Sequence, residues 1–168
     1  GDRKALLIAD DGGHVVNTPS YTSNDNLQLR KINASIDETG NLISDVNTHF
    51  TGIQQELQHS LIHDASKEQR TKYLNSVINL PTYNVDNYNY KEQPGIIPAV
   101  DEYLHITSPG YATVSGKRLF VQPNLFNKST TKLSKDSVRK YPIEYPNAYK
   151  DADTINITIP AGYTPEAI

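Results

Sequence analysis

From Leu27 the chain settles into a two-residue rhythm. Ile32, Ala34 and Ile36 are apolar while Lys31, Asn33 and Ser35 are polar, and after Asp37–Asn41 the positions Leu42, Ser44, Val46, Thr48 and Phe50 alternate with more polar neighbours. Side chains of a strand point to opposite faces in turn, so two such runs around a short Gly-containing loop predict a β-hairpin with one face on a core. Leu27 and Leu29 fall out of phase with Ile32. That predicts a bulge near Arg30.

The period then lengthens. Ile53, Leu57 and Leu61 are spaced by four, and Tyr73, Leu74, Val77 and Ile78 form a helical stripe. Ser66 and Gln69 form a capping box, in which the hydroxyl accepts an orphan amide and the amide side chain reaches back. Pro81 cannot continue a helix. A helix over about 66–79 is predicted, with a shorter helical turn before it.

Alternation then returns. Strands are expected over Tyr83–Lys91, Ala99–Thr107 and Tyr111–Gln122, the last broken at Gly116. A polar loop is expected over 124–137. A final antiparallel pair is expected from Tyr141, Ile143 and Tyr145 on one side and Ile155, Ile157 and Ile159 on the other. Near the start, Ala5–Ala9 reads as a short strand running into a polar, turn-rich loop. These elements lack a βαβ rhythm. They predict a mainly β fold: an antiparallel β-sandwich of about seven strands with one or two helices inserted around 53–79. Residues 1–23 read as the tail of an upstream domain or a linker, and 24–168 as the sandwich.

Composition narrows the function. The 168 residues are 36% hydrophobic and 21% charged, with a net charge of −3. Nucleic-acid binding needs a concentrated basic face, which this balance does not provide. No apolar run approaches the ~20 residues of a membrane span, and no signal-peptide core opens the chain. There are no cysteines, which excludes disulfides, thiolate zinc sites and a Cys nucleophile. There is no methionine either, so the chain is read as a piece of a longer protein.

Few residues suggest chemistry. His59 and His63 are four apart, as two metal ligands on one helix face would be, but Ser60 stands where a zincin motif requires Glu. His49 or Asp64 would have to complete such a site. No metal-ligating set and no cofactor is assigned. Asp10-Asp11 and Asp151/Asp153 lack the ligand offsets of a calcium loop. Nucleophile-elbow and phosphate-loop motifs are absent. Glu102 and Glu144 fall in expected strands without a spacing that marks a glycosidase pair. The triplets at Asn33, Asn127 and Asn156 match the N-x-[ST] pattern and carry no further weight. Tyr83, Tyr88, Tyr90 and Tyr103 are the candidate ligand-binding residues: an aromatic platform for a sugar or a peptide.

Four stretches resemble one family: "ADDGGHVVNTP", "DNLQLRKINASIDETGNLISDVNTHFTGIQQ", "SGKRLFVQPNLFNKS" and "RKYPIEYPNAYKDADTINITIPAGYTPEAI". Together they are similar to the C-terminal domain of unknown function of bacterial, Bacteroides-type transglutaminase-like proteins. The resemblance implies a non-catalytic accessory domain that packs against a papain-like core lying upstream in the same polypeptide. It implies an exported, periplasmic or cell-surface setting. The Cys of that core's catalytic set has no counterpart here, and no catalytic residue carries over. Arg139, Tyr141, Asp153 and Tyr163 would be structural. The alternative expectation is a carbohydrate- or peptide-binding module using an exposed tyrosine face, and a stand-alone hydrolase is the weakest reading.

Overall fold

The computed structural model describes residues 3–18, 20–126, 141–142 and 144–166. Expectations for Asn127, Arg139 and Ile143, and for the polar loop beyond Phe126, lie outside those residues. The described chain is mainly β. Its strands are β1 (Lys4–Ala9), β2 (Gly12–Asn17), β3 (Leu27–Ile36), β4 (Leu42–Thr51), β5 (Asn84–Gln93), β6 (Ala99–Ser108), β7 (Thr113–Ser115), β8 (Arg118–Phe120) and β9 (Lys150–Thr158). A 3-10 turn, Gly52–Gln55, leads into α1 (Glu56–His63) and α2 (Lys67–Val77), both between β4 and β5. The helices interrupt the strands where the period change placed them.

Five strands form the main sheet in the order β5-β6-β4-β3-β9, and β1-β2 and β7-β8 are separate hairpins. The alternation of β3 and β4 does what it predicts. Ile32, Ala34, Ile36, Leu42 and Val46 face inward and are buried, joined by Leu104 and Ile106 of β6. Over them lie Leu74 of α2, Ala112 and Leu125, with Leu119 and Phe126 at the margin. The second layer of this sandwich-like arrangement is therefore mixed. Helix covers one part, and the β7–β8 hairpin with its flanking chain covers the other.

Turn chemistry holds the β3–β4 hairpin. Asp37 accepts from the Thr39 and Asn41 amides at 2.9 and 3.0 Å. Gly40 has φ +85°, and a Cβ there would lie 2.3 Å from the Ala112 carbonyl oxygen, so the turn docks directly on the chain before β7. A second lock is Asn26, which is fully buried. Its side chain donates to the Ala148 carbonyl at 2.8 Å and accepts from the Ile53 amide at 2.9 Å. It thereby ties the entry of β3, the end of β4 and the approach to β9 together. Gly52 packs so closely on it that a Cβ would sit 2.4 Å from Asn26 Oδ1.

Two expectations need correction. The last strand is not half of an antiparallel hairpin, because β9 adds to the sheet parallel to β3. Tyr141 and Tyr145 lie outside any strand and are exposed. Pro142 and Pro146 are four apart, so both would remove amide donors from the same strand edge, and alternation alone cannot replace those bonds. Nor is there a bulge at Arg30, since β3 pairs with β4 without interruption from Gln28 to Ile36. The phase break has another cause: Gln28 and Arg30 share the inward face with Ile32, and Leu29 faces out. The register shift lies on the edge strand, between Val85 and Asn87 of β5, where an extra residue disrupts further pairing along the edge.

Candidate functional site

One polar row crosses the otherwise apolar inner face of the sheet. Strand register aligns Asp153 of β9, Arg30 of β3, Thr48 of β4, Glu102 of β6 and Tyr90 of β5. Arg30 Nη1 lies 3.7 Å from Asp153 Oδ2, and Arg30 Nε donates to Thr48 Oγ1 at 3.3 Å. Its guanidinium also sits 5.5 Å from the Phe126 ring centroid, within cation–π range. Glu102 is only 8% exposed. Burial raises its pKa above the usual carboxylate range, and the neighbouring Tyr90 hydroxyl, then the Arg30 charge, offset part of that. Asp153 is raised in the same way. Burial, then the Glu102 carboxylate, keeps the Tyr90 hydroxyl protonated well beyond the usual tyrosine range. A cleft of about 300 Å³ opens over this row, lined by Arg30 and Glu102 together with Tyr73, Gln58 and Phe126. In the row Arg30 stands between the two acids. Arg30 pairs with Asp153 on the adjacent strand, while Glu102 lies two strands from Arg30 in the same row.

A second cluster lies where α1 meets the edge strand. His59 and His63 occupy successive turns of α1, with ring centroids 4.4 Å apart. Between them stands Glu92 of β5, 2.7 Å from His59 Nδ1 and 3.0 Å from His63 Nε2. The two histidines, His59 first, hold the Glu92 carboxyl below its ordinary range. The histidine pair was visible in the sequence. Its partner was not, because Glu92 is brought in from a distant strand. His49 and Asp64 lie elsewhere: His49 contacts Asp101 at 2.6 Å, and Asp64 caps α1.

The four candidate tyrosines do not form one platform. Tyr88 and Tyr90 share the inward face of β5, with rings 5.9 Å apart and tilted by 59°. Tyr83 donates to the Leu74 carbonyl and accepts from the Ile78 amide, both at 3.0 Å, and so closes the end of α2. Tyr103 is on the opposite face, where its hydroxyl and His105 both meet Asp45, at 2.7 and 2.8 Å. A tyrosine pair the sequence reading did not select is exposed: Tyr145 and Tyr149 pack edge to face, 5.9 Å apart, beside a shallow cavity of about 340 Å³.

The β1–β2 hairpin is different in kind. Leu6, Ile8 and Val15 are 64, 81 and 70% exposed. Leu6 and Val15 are cross-strand partners on one face, and Leu7 and Val16 lie on the other. The hairpin makes no substantial contact with any other strand or helix of the described residues.

Residues 117–168 match the model of a family described as "Domain of Unknown Function with solved-structure structure" (DUF3858). That stretch begins at the β7–β8 turn and includes β9. No curated protein and no solved structure matches the chain significantly. No helix among the described residues is long and apolar enough to cross a membrane. The chain thus ends in a segment similar to a domain whose function is not known, within a β-rich fold.

Proposed function

We propose that the chain is a non-catalytic β accessory domain, and that it docks through the β1–β2 hairpin onto a preceding domain of the same polypeptide. The observation that carries this reading is the hairpin's surface. A hairpin lying on its own domain needs only one apolar face, whereas strands apolar on both faces are the kind found between two packed layers. Ala5, Leu7 and Val16 on one side and Leu6, Ile8 and Val15 on the other fit that pattern. The polypeptide's own upstream domain is the natural occupant on this reading, since the resemblance to transglutaminase-like proteins would make residues 1–23 the tail of that core. On this reading the chemistry belongs to that core, and the absence of cysteine here is in keeping with it. An exported setting accompanies the same proposal.

The test uses Leu6→Asp with Ile8→Asp. Both residues are exposed, so the chain's melting temperature should change by no more than about 2 °C, as surface substitutions do. Association with the upstream domain, supplied separately and followed by sedimentation, should weaken by tenfold or more. Unchanged association would contradict the proposal.

A further inference from the structure

We propose that His59, His63 and Glu92 form a binding site for a divalent transition metal, with Zn²⁺ as the ion it fits best. Two imidazoles and one carboxylate are a known three-ligand set for this ion, leaving a further position for water or an incoming oxygen ligand. Borderline-soft zinc favours imidazole nitrogen, whereas calcium and magnesium favour oxygen alone.

The geometry is close to what an ion needs. Each of the three residues offers one ligand atom, and these atoms all lie within 4.8 Å of one another. Ligands at about 2.0–2.1 Å around a tetrahedral zinc are roughly 3.3 Å apart. Glu92 is already 2.7 and 3.0 Å from the two nitrogens. Closing on the ion therefore takes side-chain shifts on the order of 1 Å. All three side chains retain solvent access, so they can make those shifts and an ion can enter.

The framework is also suitable. The two histidines are a helical turn apart on α1, an arrangement that brings both rings to one side. Glu92 lies in the part of β5 that pairs continuously with β6, from Asn87 to Gln93. An ion here would clip the last turn of α1 to the edge of the main sheet. The remaining position has room: a cavity of about 490 Å³ beside the cluster is lined by Gln55, His59, Glu92, Gln93, Pro94 and Pro98. A small ligand bearing an oxygen donor, such as a carboxylate or a water, suits that space.

The measurement is equilibrium dialysis of the full 168-residue chain, free of any histidine tag, against Zn²⁺, with Co²⁺ absorption spectra as a second readout. One ion per chain is expected, with a Co²⁺ spectrum of a low-coordinate, imidazole-containing site. Glu92→Gln and the double substitution His59→Ala with His63→Ala should each weaken binding by more than about tenfold, the loss that even a supporting residue produces. His14→Ala, on the β1–β2 hairpin, should bind as the parent chain does. Circular dichroism of each variant distinguishes a lost site from a lost fold. The proposal is overturned if the parent chain takes up no zinc, if folded Glu92→Gln retains full affinity, or if His14→Ala loses binding equally. In those cases Glu92 serves only as a hydrogen-bond acceptor for two histidines.

Discussion

Glu102 sits on the inner face of β6, with Tyr90 beside it and Arg30 two strands away in the same row. Burial raises its pKa, so the folded chain binds its proton more tightly than the unfolded chain does. Stability is therefore greatest below the ordinary glutamate range and declines as pH rises through that range to the raised folded value. Above it the penalty is complete. Glu102→Gln removes the ionisation and keeps the shape. The variant is expected to melt higher than the parent at neutral pH, by about 2–4 °C for a stabilisation on the order of 1 kcal/mol. The declining limb should also flatten. A variant less stable at neutral pH would mean that the interactions of the carboxylate with Tyr90 and Arg30 outweigh its desolvation. This row was not legible beforehand. Glu102, Arg30 and Asp153 look like ordinary strand polar residues, and only register across five strands places them together. Asn26 was hidden for the same reason, since its partners Ile53 and Ala148 are remote in the sequence.

At the scale of elements, local signals were legible and pairing was not. Ser66 and Gln69 make the reciprocal bonds that the capping box implies, at 3.2 and 2.7 Å. Ser66→Ala should cost about 1 kcal/mol, read as a fall of about 2–4 °C in a thermal melt, and a melt unchanged within 1 °C would show that packing of Leu74 alone sustains α2. The β3–β4 hairpin and the break at Gly116 were likewise visible from alternation and turn residues. β9 was visible as a strand, but a period of two says nothing about which neighbour a strand takes. The extended look of Tyr141 and Tyr145 misled because Pro142 and Pro146 remove donors that a ladder needs. β2 was missed because Gly12-Gly13 reads as a loop, although Val15 and Val16 after it carried a strand signal. His59 and His63 showed two ligands of a site whose third, Glu92, depends on where α1 crosses the sheet edge.

The whole molecule divides into a main sheet that buries its own core and a hairpin that does not. Ile32, Leu42, Val46 and Ile106 are almost entirely shielded by neighbours within the chain, while Leu6, Ile8 and Val15 remain in water. On the proposed reading, the apolar area exposed on both faces of this hairpin is a surface that another domain covers. The most direct measurement is amide hydrogen exchange at residues 4–17, compared between this chain alone and a longer polypeptide that carries the proposed upstream domain. Exchange reports how often each strand bond opens, and covering the hairpin should suppress opening. Protection of β1 and β2 amides is expected to rise at least tenfold in the longer polypeptide, with β3, β4 and β6 unchanged. Equal exchange at residues 4–17 in both would contradict docking through the hairpin.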